Sequence, residues 1–346
     1  MAKIRILSID GGGLMGIIPI KILQLIESIT QSPIHESFDL IAGTSTGGLI
    51  ATGLSVTENG YSPKVGLDTL EDFYLNRSQT IFPTAHGLEK VWRTVKSVFR
   101  PTFSTKAMER ELKAFYGDLS LKDCLTPLLV PVYNVSGNYP LLLSTRIAEE
   151  NASKNVSVFD ACRATTAAPT YLPPHLFRYD DEVILGTDGG LFANNPSIAA
   201  FIEATDHRSY YEHRKTTERA FPAFESITDL LDDIFVLSIG TGHYYNQHKA
   251  AQAPKWGMLQ WIRPVIRMMM DGSNNLANKQ AQALLPSRNY LRLDCEFNRP
   301  IDFLDSSKEN LDYLQKIVAQ QLTENKSVVK TLDYFLENAG LLQLQK

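Results

Sequence analysis

The first chemistry this sequence offers is a serine set between glycines. Gly43-Thr44-Ser45-Thr46-Gly47-Gly48 follows the apolar run Phe38-Asp39-Leu40-Ile41-Ala42 and precedes Leu49-Ile50-Ala51. A short strand that turns sharply into a helix is the setting of the G-x-S-x-G nucleophile elbow. There the glycines permit the turn and the serine oxygen stands exposed above a sheet. A serine hydroxyl is a weak nucleophile and needs a base. Asp188-Gly189-Gly190, after the apolar Val183–Leu185, puts a carboxylate at a strand's carboxyl end, where it can reach the same edge of the sheet. Asp-Gly-Gly alone is a common turn and gains weight only beside the serine. A third group, Asp10-Gly11-Gly12-Gly13-Leu14-Met15-Gly16, lies between a strand and a helix. The backbone N–H groups of Gly11, Gly12 and Gly13, near a helix N-terminus, can form an oxyanion hole. Gly11, Gly13 and Gly16 also match the dinucleotide fingerprint G-x-G-x-x-G. That reading expects an acidic residue at the end of the second strand, where Ala42-Gly43 stands instead. A tight βα turn without any ligand is the plainest alternative.

These groups need a sheet to carry them. Ile4–Ile9 alternates like a strand, and a helix is predicted from about Gly16 to Ile29, with Pro19 in its first turn. Further strands are expected at Phe38–Ala42, Leu128–Val135, Leu141–Ser144, Val183–Leu185, Ile234–Ile239 and Tyr290–Leu293. Helical spacing marks 62–75, 88–99, 105–116, Val158–Thr166, 308–322 and 324–338. Strands alternating with helices predict an α/β fold, a mostly parallel sheet covered on both faces. No repeat or linker divides the 346 residues, and the polar run from Asp206 to Arg219 reads as a surface excursion, so one domain over 1–346 is expected. The core motifs fall within 4–300, with helices closing the chain at 305–340.

Composition narrows the class. The chain is 44% hydrophobic and 21% charged, as in an ordinary globular protein. With 34 Lys+Arg against 38 Asp+Glu, the net charge of −4 does not favour nucleic acid as a partner. Cys124, Cys162 and Cys295 fit no metal or redox spacing and read as buried thiols, which suits a reducing, cytoplasmic setting. The N-terminus lacks the pattern of a cleaved signal peptide, although export by another route stays open. The apolar stretch Leu14 to Ile26 is too short to span a bilayer, which predicts a soluble protein.

Taken together, the three motifs resemble the signatures of patatin-like phospholipases, in order and in spacing. Supporting stretches are Gly16-Ile17-Ile18-Pro19, Ala167-Ala168-Pro169-Thr170-Tyr171-Leu172-Pro173-Pro174, Ala193-Asn194-Asn195-Pro196 and Leu237-Ser238-Ile239-Gly240-Thr241-Gly242. Lys255-Trp256-Gly257-Met258-Leu259-Gln260-Trp261 to Met270-Asp271-Gly272 resembles the plant-type branch, and the likeness covers roughly residues 4 to 300. It implies a three-layer α/β/α fold and a lipid acyl hydrolase of the phospholipase A or lysophospholipase type. It also implies a Ser–Asp dyad without metal or cofactor: Ser45 the nucleophile, Asp188 the base, and Gly11 to Gly13 the oxyanion hole. Asp10, Gly16, Gly43, Gly47, Gly189 and Gly190 complete the motifs. Many members carry a basic residue where Met15 stands, so no charge is expected there.

Three alternatives accompany this reading. A Ser–Asp–His triad would draw its histidine from those after Asp188, namely His207, His213, His243 and His248, of which His243 follows a strand end. Storage or interaction use with incidental esterase activity is a second, and dinucleotide binding a third. For contact with lipid, two segments stand out. Residues 255–270 combine two tryptophans, four methionines and three basic side chains. Residues 86–113 carry seven Lys/Arg against three Glu, with Trp92, Val95, Val98 and Phe99 on an apolar side. The plainer reading of each is a packed helix with a solvated face. The expected partner is a phospholipid or other acyl lipid, with peripheral membrane contact.

Overall fold

The alternation of apolar residues along the strands sorts the core into two halves, one on each face of a single sheet. The computed structural model describes residues 3–84, 101–213, 231–244 and 257–342. In these, eight strands join one sheet: β1 (Ile4–Ile9), β2 (Leu40–Gly43), β3 (Leu128–Asn134), β4 (Tyr139–Ser144), β5 (His175–Tyr179), β6 (Glu182–Asp188), β7 (Ile234–Ile239) and β8 (Tyr290–Leu293). On β1, Leu7 and Ile9 enter one core while Ile4 and Ile6 enter the other. On β7, Phe235, Leu237 and Ile239 oppose Ile234 and Val236 in the same way. Strands buried on both faces need helices on both.

The first core is closed by α1 (Ile17–Thr30), α2 (Thr46–Ser55), α3 (Lys106–Tyr116) and α4 (Val158–Thr165). The second is closed by α5 (Ser197–Asp206) and α6 (Met258–Leu284) through Ala200, Phe201, Ala204 and Ala281. Helices α7 (Lys308–Val318) and α8 (Lys326–Asn338) return to the first face, with Leu314 and Phe335 in its core. The result is a three-layer α/β/α arrangement. By length and composition residues 13–30 would suffice to cross a membrane. Yet Ile17, Ile18, Ile20, Leu23 and Ile26 are buried in the core, each contributing about 1.5–3 kcal/mol by leaving water.

The strand order is β5-β6-β3-β2-β1-β7-β8, with β4 also on β3. Strands β8, β7, β1, β2 and β3 run parallel, whereas β4 and β6 are antiparallel to β3 and β5 to β6. One detail of β3 governs the rest. Ile41 of β2 donates to the Pro127 carbonyl and Val135, just past β3, donates to the Leu185 carbonyl in the middle of β6, so β2 and β6 lie along the same edge of β3. Ala42 pairs with Leu129 and Asp188 with Val132, so the carboxyl ends of β2 and β6 meet nearly head to head.

Several elements differ from expectation. β5 follows Pro173-Pro174 and was not anticipated, because two prolines read as loop. β6 extends through Asp188, which ends the strand rather than following it. β4 starts two residues early at Tyr139. Gly13–Gly16 form a 3-10 turn before α1, and the helix within 62–75 begins only at Leu67. Cys124, Cys162 and Cys295 are buried and free. Residues 88–99 and 214–219 lie outside the described residues, as does His248; Trp92, Val95, Val98 and Phe99 fall within the first of these stretches.

Candidate active site

Ser45 occupies the turn between β2 and α2 with φ +53° and ψ −119°. A non-glycine residue there costs about 1–3 kcal/mol and persists only where its surroundings enforce it. Those surroundings can be named. The turn presses so closely on β1 that a Cβ at Gly47 would run into the Ile9 carbonyl. The Ser45 N–H donates to Thr165 Oγ1 at 3.0 Å, and Thr44 Oγ1 donates to the Ala193 carbonyl at 2.6 Å. A Cβ at Gly43 would likewise run into the Gly47 carbonyl.

Asp188 arrives from β6. Its N–H donates to the Ala167 carbonyl at 3.2 Å, and its Oδ1 accepts the Gly190 N–H at 2.7 Å. Burial pushes its pKa up to about 7, against hydrogen bonds from the Gly190 N–H and the Ser45 hydroxyl that pull it down. Gly189 turns tightly over the Pro131 carbonyl of β3. The serine and the carboxylate predicted from distant motifs are therefore brought together, as the shared edge of β3 dictates. The pair is a weak nucleophile beside a carboxylate whose proton affinity suits neutral pH.

Within the glycine loop the three amides differ. The Gly11 N–H donates to the Asn194 carbonyl at 3.0 Å and so is not free to hold an oxyanion. Among the described residues neither the Gly12 nor the Gly13 N–H has an acceptor. Gly13 adopts φ +59° against the Phe303 carbonyl, a position that only glycine fills without strain. Behind the loop, Asn194 Nδ2 donates to the Gly11 carbonyl at 3.1 Å and to Asn274 Oδ1 at 3.0 Å. Asp10 takes a two-point ion pair from Arg292, at 2.9 and 2.6 Å. Gly16 packs under Thr46 and Tyr74, and Met15 is buried in the core.

His243 is elsewhere. Its Nδ1 lies 3.4 Å from Asp294, which also accepts from Arg292 at 2.8 Å, and it borders a separate polar cavity with Asp271 and Asn278. That placement removes the most plausible third member of a triad. Thr165 and Arg292 were not singled out from the sequence, and Asn194 entered only within the stretch Ala193-Asn194-Asn195-Pro196. The signal for Arg292 was a charged residue inside the apolar strand Tyr290–Leu293.

Ser45 and Asp188 both line an apolar cleft. Leu14, Leu49, Phe73, Phe82, Met108 and Leu172 form its buried walls, with Ile266, Met270 and Phe303 nearer the surface. Among the described residues that line it, none is Lys or Arg. A cleft of this kind fits an acyl chain better than a charged group.

The sequence model of the family described as patatin-like phospholipase matches residues 7–201. Patatin-like protein 3 of Arabidopsis thaliana is 33% identical over 84% of this chain and 73% of its own length. Patatin-like protein 2 of Oryza sativa subsp. indica is 32% identical over 94% of this chain and 85% of its own. A solved structure, VipD from Legionella pneumophila, aligns over 93% of this chain and 67% of that one at 11% identity, but its TM-score of 0.36 is too low to argue from. The chain belongs to the patatin-like phospholipase family, and lipid acyl hydrolysis is the activity that membership implies.

Proposed function

We propose that this protein hydrolyses fatty-acyl esters, in the manner of a phospholipase A or lysophospholipase, through a Ser45–Asp188 dyad. The observation that carries the reading is a serine on a strained turn, lining one apolar cleft together with a buried carboxylate. In the first half-reaction Ser45 Oγ attacks the ester carbonyl carbon while its proton passes to Asp188. The Gly12 and Gly13 amides hold the oxyanion. Collapse of the tetrahedral intermediate breaks the bond to the alcohol, which leaves with the proton from Asp188. In the second, water attacks the acyl-serine, gives a proton to Asp188, and the Ser45 oxygen recovers it as the fatty acid departs. Because the described walls of the cleft are largely apolar, the acyl chain occupies it.

Labelling with a fluorophosphonate, read by mass spectrometry, tests the assignment. Wild type is expected to carry one label, on Ser45, and Ser45→Ala none. An unlabelled wild type, or a label on another serine, overturns it.

Peripheral contact with a bilayer belongs to the same reading. Along α6, Ile266 and Met270 line the cleft while Val265, Met268 and Met269 are exposed on the outside. These three side chains lie beside the cleft's outer rim and supply an apolar patch for a lipid surface. Sedimentation with phosphatidylcholine vesicles is expected to fall roughly tenfold in Met268→Glu/Met269→Glu. Cleavage of a soluble short-chain ester should stay unchanged in that variant. Equal sedimentation of the two proteins would remove α6 from the contact.

A further inference from the structure

One hydroxyl group joins the two halves of the dyad. Thr165 is the last residue of α4 and is fully buried. Its Oγ1 accepts the Ser45 N–H at 3.0 Å and donates its own proton to the Pro131 carbonyl at 2.8 Å. Both bonds bear on the reacting groups. At φ +53° Ser45 belongs to neither the β2 ladder nor the α2 helix, so its N–H depends on a side chain for a partner. Pro131 is the β3 residue over which the Asp188-Gly189 turn folds. The Pro131 carbonyl is thus a common platform, with the serine side bound to it through Thr165 and the aspartate side packed on it directly.

The rest of Thr165 fits the same role. Its Cγ2 lies 2.9 Å from where a Cβ on Gly48 would stand, so a glycine after Gly47 lets α4 approach the elbow. Its neighbour Thr166, not Thr165, lines the cleft. Thr165 therefore reaches substrate only through Ser45.

We propose that Thr165 is a positioning residue for the reaction, fixing the Ser45 backbone against the strand that carries Asp188. The proposal rests on the assignment of Ser45 as nucleophile and Asp188 as base. A nucleophile displaced by a fraction of an ångström loses its line of attack without losing its binding cleft. The effect should therefore fall on kcat and on the rate of fluorophosphonate labelling, not on KM.

Two pairs of proteins differ only by this hydroxyl: wild type against Thr165→Val, and Thr165→Ser against Thr165→Ala. Each hydroxyl-free member is expected to lose roughly 10–100-fold in kcat and in labelling rate relative to its partner, with KM within about twofold. Thr165→Ser should stay close to wild type. Circular dichroism and thermal melting identify the folded variants, and the Ser/Ala pair decides if Thr165→Val does not fold. If both hydroxyl-free variants fail to fold while Thr165→Ser folds, the hydroxyl is a folding element and the proposal falls. It falls equally if wild type is labelled on Ser45 and the hydroxyl-free variants are labelled as fast. A wild type that takes no label on Ser45 refutes the dyad reading instead.

Discussion

Asp188→Asn is expected to lower kcat for ester hydrolysis by roughly 10²–10⁴-fold while leaving the protein at least as stable as wild type at pH 8. The asparagine oxygen can still accept the Gly190 N–H that Asp188 accepts at 2.7 Å. The other end becomes an amide donor, so the Ser45 hydroxyl loses the acceptor that takes its proton. Stability moves the opposite way because Asp188 is an unfavourable charge to bury. Its pKa rises from the ordinary 3.8 to about 7 on folding. Between those values the folded protein binds a proton that the unfolded chain releases, so this group's contribution falls as pH rises from about 4 to 7. A neutral asparagine has no such penalty. The same pKa sets the rate profile: kcat/KM in wild type should rise with pH and level off above about 7 as Asp188 becomes the free base. His243→Ala supplies the contrast and is expected to retain most activity, since His243 pairs with Asp294 rather than Asp188. An active Asp188→Asn beside an inactive His243→Ala would replace the dyad with a histidine mechanism.

The extent to which this site was legible in the sequence follows from the range of its interactions. Ser45, the glycine turn and the strand before it are local, and their pattern encodes them fully. Asp188 was readable because it ends a strand, although β6 proved longer than its apolar core suggested. The glycine loop was readable only in part. Three adjacent glycines look alike in sequence, and only the fold shows that Asn194 occupies the Gly11 amide. The residues that hold the site from behind act across long separations. Thr165 is 120 positions from Ser45, Asn194 is 183 from Gly11, and Arg292 is 282 from Asp10. No periodicity reports a contact of that kind. The hidden element β5 has a similar cause, since its pairing with β6 through His175 and Gly186 overrides the prolines before it.

Arg292→Met should cost about 3–5 kcal/mol of stability at pH 8, because it removes one side of a buried ion pair and leaves the other uncompensated. Arg292 meets Asp10 at 2.6 and 2.9 Å and Asp294 at 2.8 Å, and Asp10 is wholly buried. In wild type, burial pushes Asp10 up to about 6 even against the pull of Arg292, while Arg292 and His243 hold Asp294 down to about 2 against its burial. The signs then follow. Without the guanidinium Asp10 moves further up, so the folded variant pays for an isolated carboxylate above about pH 6 and escapes by protonation nearer pH 4. Asp294, held low in wild type, contributes stability present above about pH 4 and lost as pH falls towards 2, so its share of the deficit also shrinks in acid. Urea unfolding at pH 8 and pH 4.5 should therefore show a large gap between variant and wild type in the first case and a smaller one in the second. Adding Asp10→Asn to Arg292→Met should recover part of the loss at pH 8. Equal urea midpoints for Arg292→Met and wild type at pH 8 would show that the pair does not hold this end of the loop. Asp10 leads directly into Gly11–Gly13, so any Arg292→Met protein that remains folded should also be labelled more slowly at Ser45. In that case the loop's anchor, 282 residues away in the chain, sets the geometry of the amides that receive the oxyanion.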